Sequence, residues 1–503
     1  GLAGAGASSG MAMAHWEIQG WMILILGWVF VPFYTRSMVY TMPEFLERRY
    51  NPQSRTILSV ISLVSYVLTK VAVTVYAGGL VFQQVFGIKE LWGIDFFWIA
   101  AIGLVVLTAL YTIFGGMKSV LYTSVLQTPI LLLGSLIILV LGFKELGGWD
   151  EMMRVCGAVT VNDYGDTMTN LIRSNDDANF PWLGALIGSA IIGFWYWCTD
   201  QFIVQRVLSG KNEMEARRGT IFGAYLKLLP VFLFLIPGMI AFALHQKYIG
   251  AGGEGFLPML ENGTANADAA FPTLVAKLLP AGVKGLVVCG ILAALMSSLA
   301  SLFNSSAMLF TIDFYKRFRP ETPEKKLVGI GQVATVVIVI LGILWIPIMR
   351  SVGDVLYTYL QDVQSVLAPG IAAAFLLGIC WKRTSAQGGM WGLIAGMIIG
   401  LTRLGAKVYY SNAGEVADST FKYLFYDMNW LFFCGWMFLF CIIVVIVVSL
   451  ATEAPTAEKI QGLVFGTATK EQKAATRASW DHWDIIHTVI ILAITGAFYW
   501  YFW

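Results

Sequence analysis

Eight ionisable side chains sit within or at the ends of long apolar runs: Glu17, Lys70, Asp95, Asp200, Arg206, Lys227, Asp313 and Asp362. A charge at bilayer depth costs at least ~2.5–3.5 kcal/mol on insertion scales, so such groups line a cavity or pair with one another. Glu17 reads as a functional carboxylate, although its position near the start of its run also suits the headgroup level. Lys227 lies deeper, ahead of Pro230 and the Ile236-Pro237-Gly238 break, where snorkelling to the interface is difficult. Lys70 and Asp95 read as structural, each within reach of a neighbouring helix or an interface. Carboxylate, ammonium and amide groups together suit hydroxyls that both donate and accept. The run Phe194-Trp195-Tyr196-Trp197-Cys198-Thr199-Asp200-Gln201 places aromatic rings in mid-span instead of at the interface. It suits either the apolar face of a sugar ring or simple filling of a helix-bundle core.

Two further patterns carry oxygen ligands. Ala294, Ser297, Ser298, Ser301 and Ser305 recur at three- and four-residue steps. Small residues at that spacing let helices approach closely, but two hydroxyls beside a main-chain carbonyl also suit a hard cation. Gln361 and Asp362 open a stretch that runs to Leu367-Ala368-Pro369-Gly370, where proline and glycine either free carbonyls for a ligand or kink a helix.

The elements that must hold these residues are membrane helices. Hydrophobic residues make up 57% of the 503 and charged residues 13%, against the ~25% charge of a soluble chain. A water-facing globule is excluded. With 33 basic and 31 acidic residues, the net charge of +2 provides no field for nucleic acid. Apolar runs near the ~20 residues that cross a bilayer fall at roughly 11–36, 57–84, 93–114, 117–145, 181–208, 217–246, 283–310, 328–350, 354–381, 387–404, 430–450 and 484–503. The linkers alternate in charge. One set carries Arg48, Arg49, Lys118, Arg217, Lys326, Arg383 and Lys470, and the other carries Asp150, Asp177, Glu254, Glu261, Glu415 and Asp427. The positive-inside rule places the first set in the cytoplasm and both chain ends outside. Gly1 to Gly10 then reads as the tail of a helix whose beginning is missing. Five of the six cysteines lie in apolar runs, Cys156 has no evident loop partner, and no disulfide or metal-finger spacing occurs. Asn262-Gly263-Thr264 forms a glycosylation sequon if the source is eukaryotic.

The motifs Thr41-Met42-Pro43-Glu44-Phe45-Leu46-Glu47-Arg48-Arg49-Tyr50, Gly115-Gly116-Met117-Lys118, Trp195 to Gln201, Met296-Ser297-Ser298-Leu299-Ala300-Ser301 and Leu377-Gly378-Ile379-Cys380-Trp381-Lys382-Arg383 together resemble the sodium/solute symporters. Within that family the resemblance is to the sodium-coupled glucose/galactose transporters. It implies an all-α membrane protein of the leucine-transporter type, two inverted five-helix repeats whose first and sixth helices are discontinuous. A transport core would span 1–382, its first helix incomplete, and three accessory helices would occupy 383–503 with a cytoplasmic loop near 451–483. By the same resemblance Glu17, Lys227 and Gln361 would hydrogen-bond sugar hydroxyls and Tyr196 would stack on the ring beside Trp197. Leu2, Trp16 and Tyr357 would cover the sugar from outside, and Ala294, Ser297 and Ser298 would bind sodium.

Three positions depart from the pattern. By the resemblance, a missing start of helix one would take with it another sugar ligand and part of the sodium shell. Gly193 stands where bacterial sugar relatives can have an asparagine, and Ser124 replaces a common aspartate with no hydroxyl at Ala300, which argues against a second sodium. The expectation is sodium-driven hexose uptake at the plasma membrane, with small-molecule sugar, sodium and lipid as partners. A polyol such as inositol as cargo, or a sensor or sodium leak that binds without transporting, are the alternatives. Scattered histidines and the lack of any nucleophile–base pattern argue against an enzyme.

Overall fold

The computed structural model describes residues 1–39, 41–260, 263–352, 355–412 and 417–503, and for 111, 113–121, 123, 124, 126 and 349–352 only the main chain. Glu261, Asn262 and Glu415, and the side chains of Lys118 and Ser124, therefore lie outside the described residues. Among these residues eleven helices are long and apolar enough to cross a membrane, from Leu2–Ser37 to His482–Tyr501. In hydrocarbon a helix satisfies its own backbone, which is why sequences this apolar fold as helices and not as open sheets.

Ten of the runs read from sequence coincide with spanning helices. The exception is the pair at 93–114 and 117–145, which form one continuous helix, Phe96–Leu146. At ~1.5 Å per residue it is ~77 Å long, more than the ~40–45 Å of a whole bilayer. Gly115, Gly116 and Lys118 look like a linker in sequence, but an isolated glycine pair costs a helix only ~1 kcal/mol per residue and does not force a break.

Contacts made by the linkers form two groups, one at each end of the bundle, while Lys118 of the basic set lies within the continuous Phe96–Leu146 helix. At one end Arg36 donates to Thr476 Oγ1 (2.6 Å), Lys459 to Glu47 O (3.0 Å) and Arg218 to Asp481 (3.0 Å). At the other, His15 Nε2 lies 3.0 Å from Leu171 O, Leu171 N donates to Phe502 O (3.1 Å) and Leu356 N donates to Asp268 (3.0 Å). Cys156 is buried against Met239 O, and burial pushes its thiol up to about 12, so it is an inert packing residue.

Helix interruptions occur where the sequence demands unusual backbone. Leu2–Ser9 ends at Gly10, whose φ of 63° is open to glycine at little cost and where a Cβ would lie 2.1 Å from Met168 O. The glycines of this segment also allow main-chain contact, since a Cβ on Gly6 would meet Leu235 O at 2.2 Å and one on Gly238 would meet Ala3 O at 2.0 Å. Trp182–Gly193 passes into a π-helical turn, Phe194–Thr199, then breaks at Asp200, which turns extended and caps Gln201–Leu208 through Phe202 N. Such π turns are frequent at functional sites. Leu356–Cys380, by contrast, runs unbroken through Pro369 and Gly370. The sequence left open whether that pair frees ligands. Instead, Gly370 lets the Ala386–Asn412 helix approach so closely that its Cβ would lie 2.9 Å from Gly396 Cα.

Candidate functional site

Glu17 and Lys227, 210 residues apart, meet inside the bundle. Glu17 ends the short Ala14–Glu17 helix and Lys227 lies in Glu213–Pro230, so both main chains are held by packed spans. Lys227 Nζ donates to Glu17 Oε2 at 2.6 Å, while the Tyr357 hydroxyl donates to Glu17 Oε1. The pair removes the cost of isolated buried charges. It leaves two of the three ammonium donors and further carboxylate lone pairs available. Lys227 Nζ also stands 5.2 Å from the centre of the Trp197 ring.

These groups line one cavity of about 190 Å³, smaller than the ~300–1,000 Å³ of drug-sized ligand pockets. Its walls come from Trp16, Glu17 and Gln19, the turn at Gly193, Tyr196 and Trp197, Lys227, and one face of the Leu356–Cys380 helix at Tyr357, Leu360, Gln361 and Gln364. The Tyr357, Leu360, Gln361 and Gln364 positions follow the three- and four-residue spacing of one helical face. The Tyr196 and Trp197 rings stand at 82° with centres 5.1 Å apart, the Phe194–Thr199 turn presenting both to the cavity. Trp16 stacks on Trp430, ring centres 5.4 Å apart, which anchors the wall to the Trp430–Ala451 helix. Two lining residues carry buried polar atoms with no partner among the described residues: Gln361 Oε1, an acceptor, and Trp16 Nε1, a donor. Each such orphan costs about 1–3 kcal/mol unless a ligand satisfies it.

Seven of the eight residues expected at the sugar, Glu17, Lys227, Gln361, Tyr196, Trp197, Trp16 and Tyr357, thus surround one space. Leu2 does not line it. It packs on the core as part of the segment in which a Cβ at Gly1 would approach Tyr357 Cβ at 3.6 Å. Gln19 and Gln364 were not foreseen. The signal that could have found them is helical spacing, since each lies two or three residues from a residue already singled out.

The serine stripe on Ala281–Met308 divides in two. Ser301 and Ser305 are engaged by the helix after the break, accepting from Arg206 (2.6 Å) and from Gln205 (2.7 Å). Ala294, Ser297 and Ser298 fall on one turn, Ser297 buried and Ser298 exposed. A hydroxyl is the type of oxygen ligand a hard cation takes, and sodium at this turn is what the resemblance implies.

Four of the remaining six intramembrane charges are ion-paired. Lys70 bonds Asp200, which also accepts from Tyr66 at 2.9 Å, and Lys70 Nζ lies 5.0 Å from the Tyr196 ring centre. Asp362 pairs with Lys407 and Asp313 with Arg55 (2.7 Å). Asp95 caps the Phe96–Leu146 helix through Phe97 N (2.9 Å), a structural role.

This buried polar cavity beside interrupted helices belongs to a known class of membrane transporter. The chain superposes on a Na+-coupled sialic acid symporter in a substrate-bound outward-open state over 90% of its length, with a TM-score of 0.68 at 20% identity. On MhsT in complex with L-phenylalanine the TM-score is 0.50 at 13% identity, again over 90% of the chain. These likenesses establish the leucine-transporter-type fold. The profile of the sodium:solute symporter family matches residues 1–396, and the chain belongs to that family. It is 36% identical to the human sodium/myo-inositol cotransporter 2, over 93% of this chain and 70% of the relative. It is 35% identical to the zebrafish sodium/glucose cotransporter 4 over 95% and 74%, and 36% identical to the bovine sodium/mannose cotransporter over 96% and 83%. The protein is therefore a multi-pass membrane symporter driven by sodium, a transporter and not an enzyme.

Proposed function

We propose that the protein takes up a hexose together with sodium by alternating access at the plasma membrane, with the 190 Å³ cavity as the sugar site. The observation that carries this reading is the convergence on one space of a carboxylate, an ammonium, two aromatic rings, an unsatisfied acceptor and an unsatisfied donor. A hydroxyl satisfies donor and acceptor alike, and the C–H face of a pyranose packs on an aromatic ring. Glu17, Lys227 and Gln361 would hold the hydroxyls, Tyr196 would close beneath the ring beside Trp197, and Trp16 and Tyr357 would cover it. Sodium at Ala294, Ser297 and Ser298 would favour the outward-open state. Sugar binding then closes the outer side, and inward opening releases both.

One charge crossing 100 mV supplies ~2.3 kcal/mol and a tenfold sodium gradient ~1.4 kcal/mol. A single ion would thus support accumulation of roughly a few hundredfold. The inositol cotransporter among the relatives favours a second cargo, a cyclic polyol, whose ring of hydroxyls makes the same demands. Uptake of labelled glucose into proteoliposomes under an inward sodium gradient, competed by unlabelled galactose, mannose and myo-inositol, tests both. Strong competition by the hexoses and weak competition by inositol supports the first reading, and the reverse order supports the second.

A further inference from the structure

Gly193 leaves a bare wall in the cavity, and the structure shows what occupies the space beside it. A Cβ built on Gly193 would lie 2.4 Å from Gln19 Oε1 and 3.0 Å from Gln19 Cδ. The amide of Gln19 thus fills the volume a side chain would claim. Its orientation follows from chemistry. The Gln19 atom 2.8 Å from Ser189 O is a donor, because a carbonyl only accepts, so it is Nε2. Ser189 lies one turn before Gly193 on the same helix, which clamps the amide by one end. Oε1 is left beside the cavity with no hydrogen bond to any described residue, on a side chain that is 2% exposed.

We propose that Gln19, made possible by Gly193, is a specificity-determining contact of the transport cavity: Oε1 accepts a hydrogen bond from one substrate hydroxyl. The inference rests on the carbohydrate reading of the site. The fixed amide makes the subsite selective for a hydroxyl donor, so an analogue that is deoxygenated or O-methylated at that carbon is discriminated against there. Gly193 is part of the same device, since any larger residue must displace the amide.

The test measures sodium-driven uptake by the purified protein in proteoliposomes, with the transported sugar and its series of monodeoxy analogues, for the wild type, Gln19→Leu and Gly193→Ala. Gln19→Leu is expected to raise KM for the parent sugar roughly three- to tenfold, the worth of one neutral hydrogen bond. One deoxy analogue, lacking the matching hydroxyl, should be transported equally well by both proteins, with the half-saturating sodium concentration unchanged. Gly193→Ala should select the same analogue while retaining the amide, which separates this role from a general loss of folding. A uniform KM change across the series, or none, in both variants would overturn the assignment of Gln19. If the wild type itself moved neither hexose nor polyol, the carbohydrate reading would fall, and with it this inference.

Discussion

At Gln361, which lines the chamber, a buried acceptor has no partner among the described residues. Gln361→Ala should therefore raise KM for the sugar about three- to tenfold while leaving the thermal midpoint in detergent near the wild-type value. Lys227 behaves differently, because its ammonium neutralises Glu17 at 2.6 Å. Lys227→Met strands a buried carboxylate and is expected to cost ~3–5 kcal/mol of stability, most of which Glu17→Gln/Lys227→Met should restore. Transport should remain lost in both, so thermal unfolding and uptake measured together separate the structural share of the pair from its binding share. The charged members of the site were legible in the sequence because a charge in an apolar run is expensive. Gln19 and Gln364 were not, since a neutral amide in a span carries no charge to pair and declares itself only when the helix face it occupies is known.

Helix interruptions decide where these side chains point. Gly10 combines a positive φ with Met168 O at 2.1 Å from any Cβ. Gly10→Ala should lower stability by at least the ~1–2 kcal/mol of a left-handed non-glycine residue. Gly219 is a matched contrast, a helical glycine with open space around its Cβ position. Gly219→Ala is expected to stabilise by ~0.5–1 kcal/mol, and thermal midpoints of the two variants should move in opposite directions. The break at Asp200 was not read from the residues; the family resemblance, with its discontinuous sixth helix, implied an interruption. The join across 96–146 was not legible, because a glycine pair with a lysine carries the same local signal whether it turns or continues. The π turn at Phe194–Thr199 likewise has no sequence signature, and it presents Tyr196 and Trp197 to the cavity.

On the scale of the whole molecule, the length of apolar runs made the membrane helices readable in the sequence. Coupling was less so, because three neutral oxygens on one helical turn look the same in sequence whether they pack a helix or hold an ion. Ser298→Ala should raise the sodium concentration that half-saturates uptake, with a smaller effect on sugar KM at saturating sodium. Unchanged sodium dependence would place the ion elsewhere. The most direct test of the coupled transport proposed here is accumulation itself. Proteoliposomes given an inward sodium gradient should concentrate labelled hexose above the outside level, lose that excess when the gradient is dissipated, and require more sugar for half-maximal uptake with Gln361→Ala. Binding or sugar-dependent current without accumulation, or accumulation indifferent to both sodium and Gln361, would contradict it.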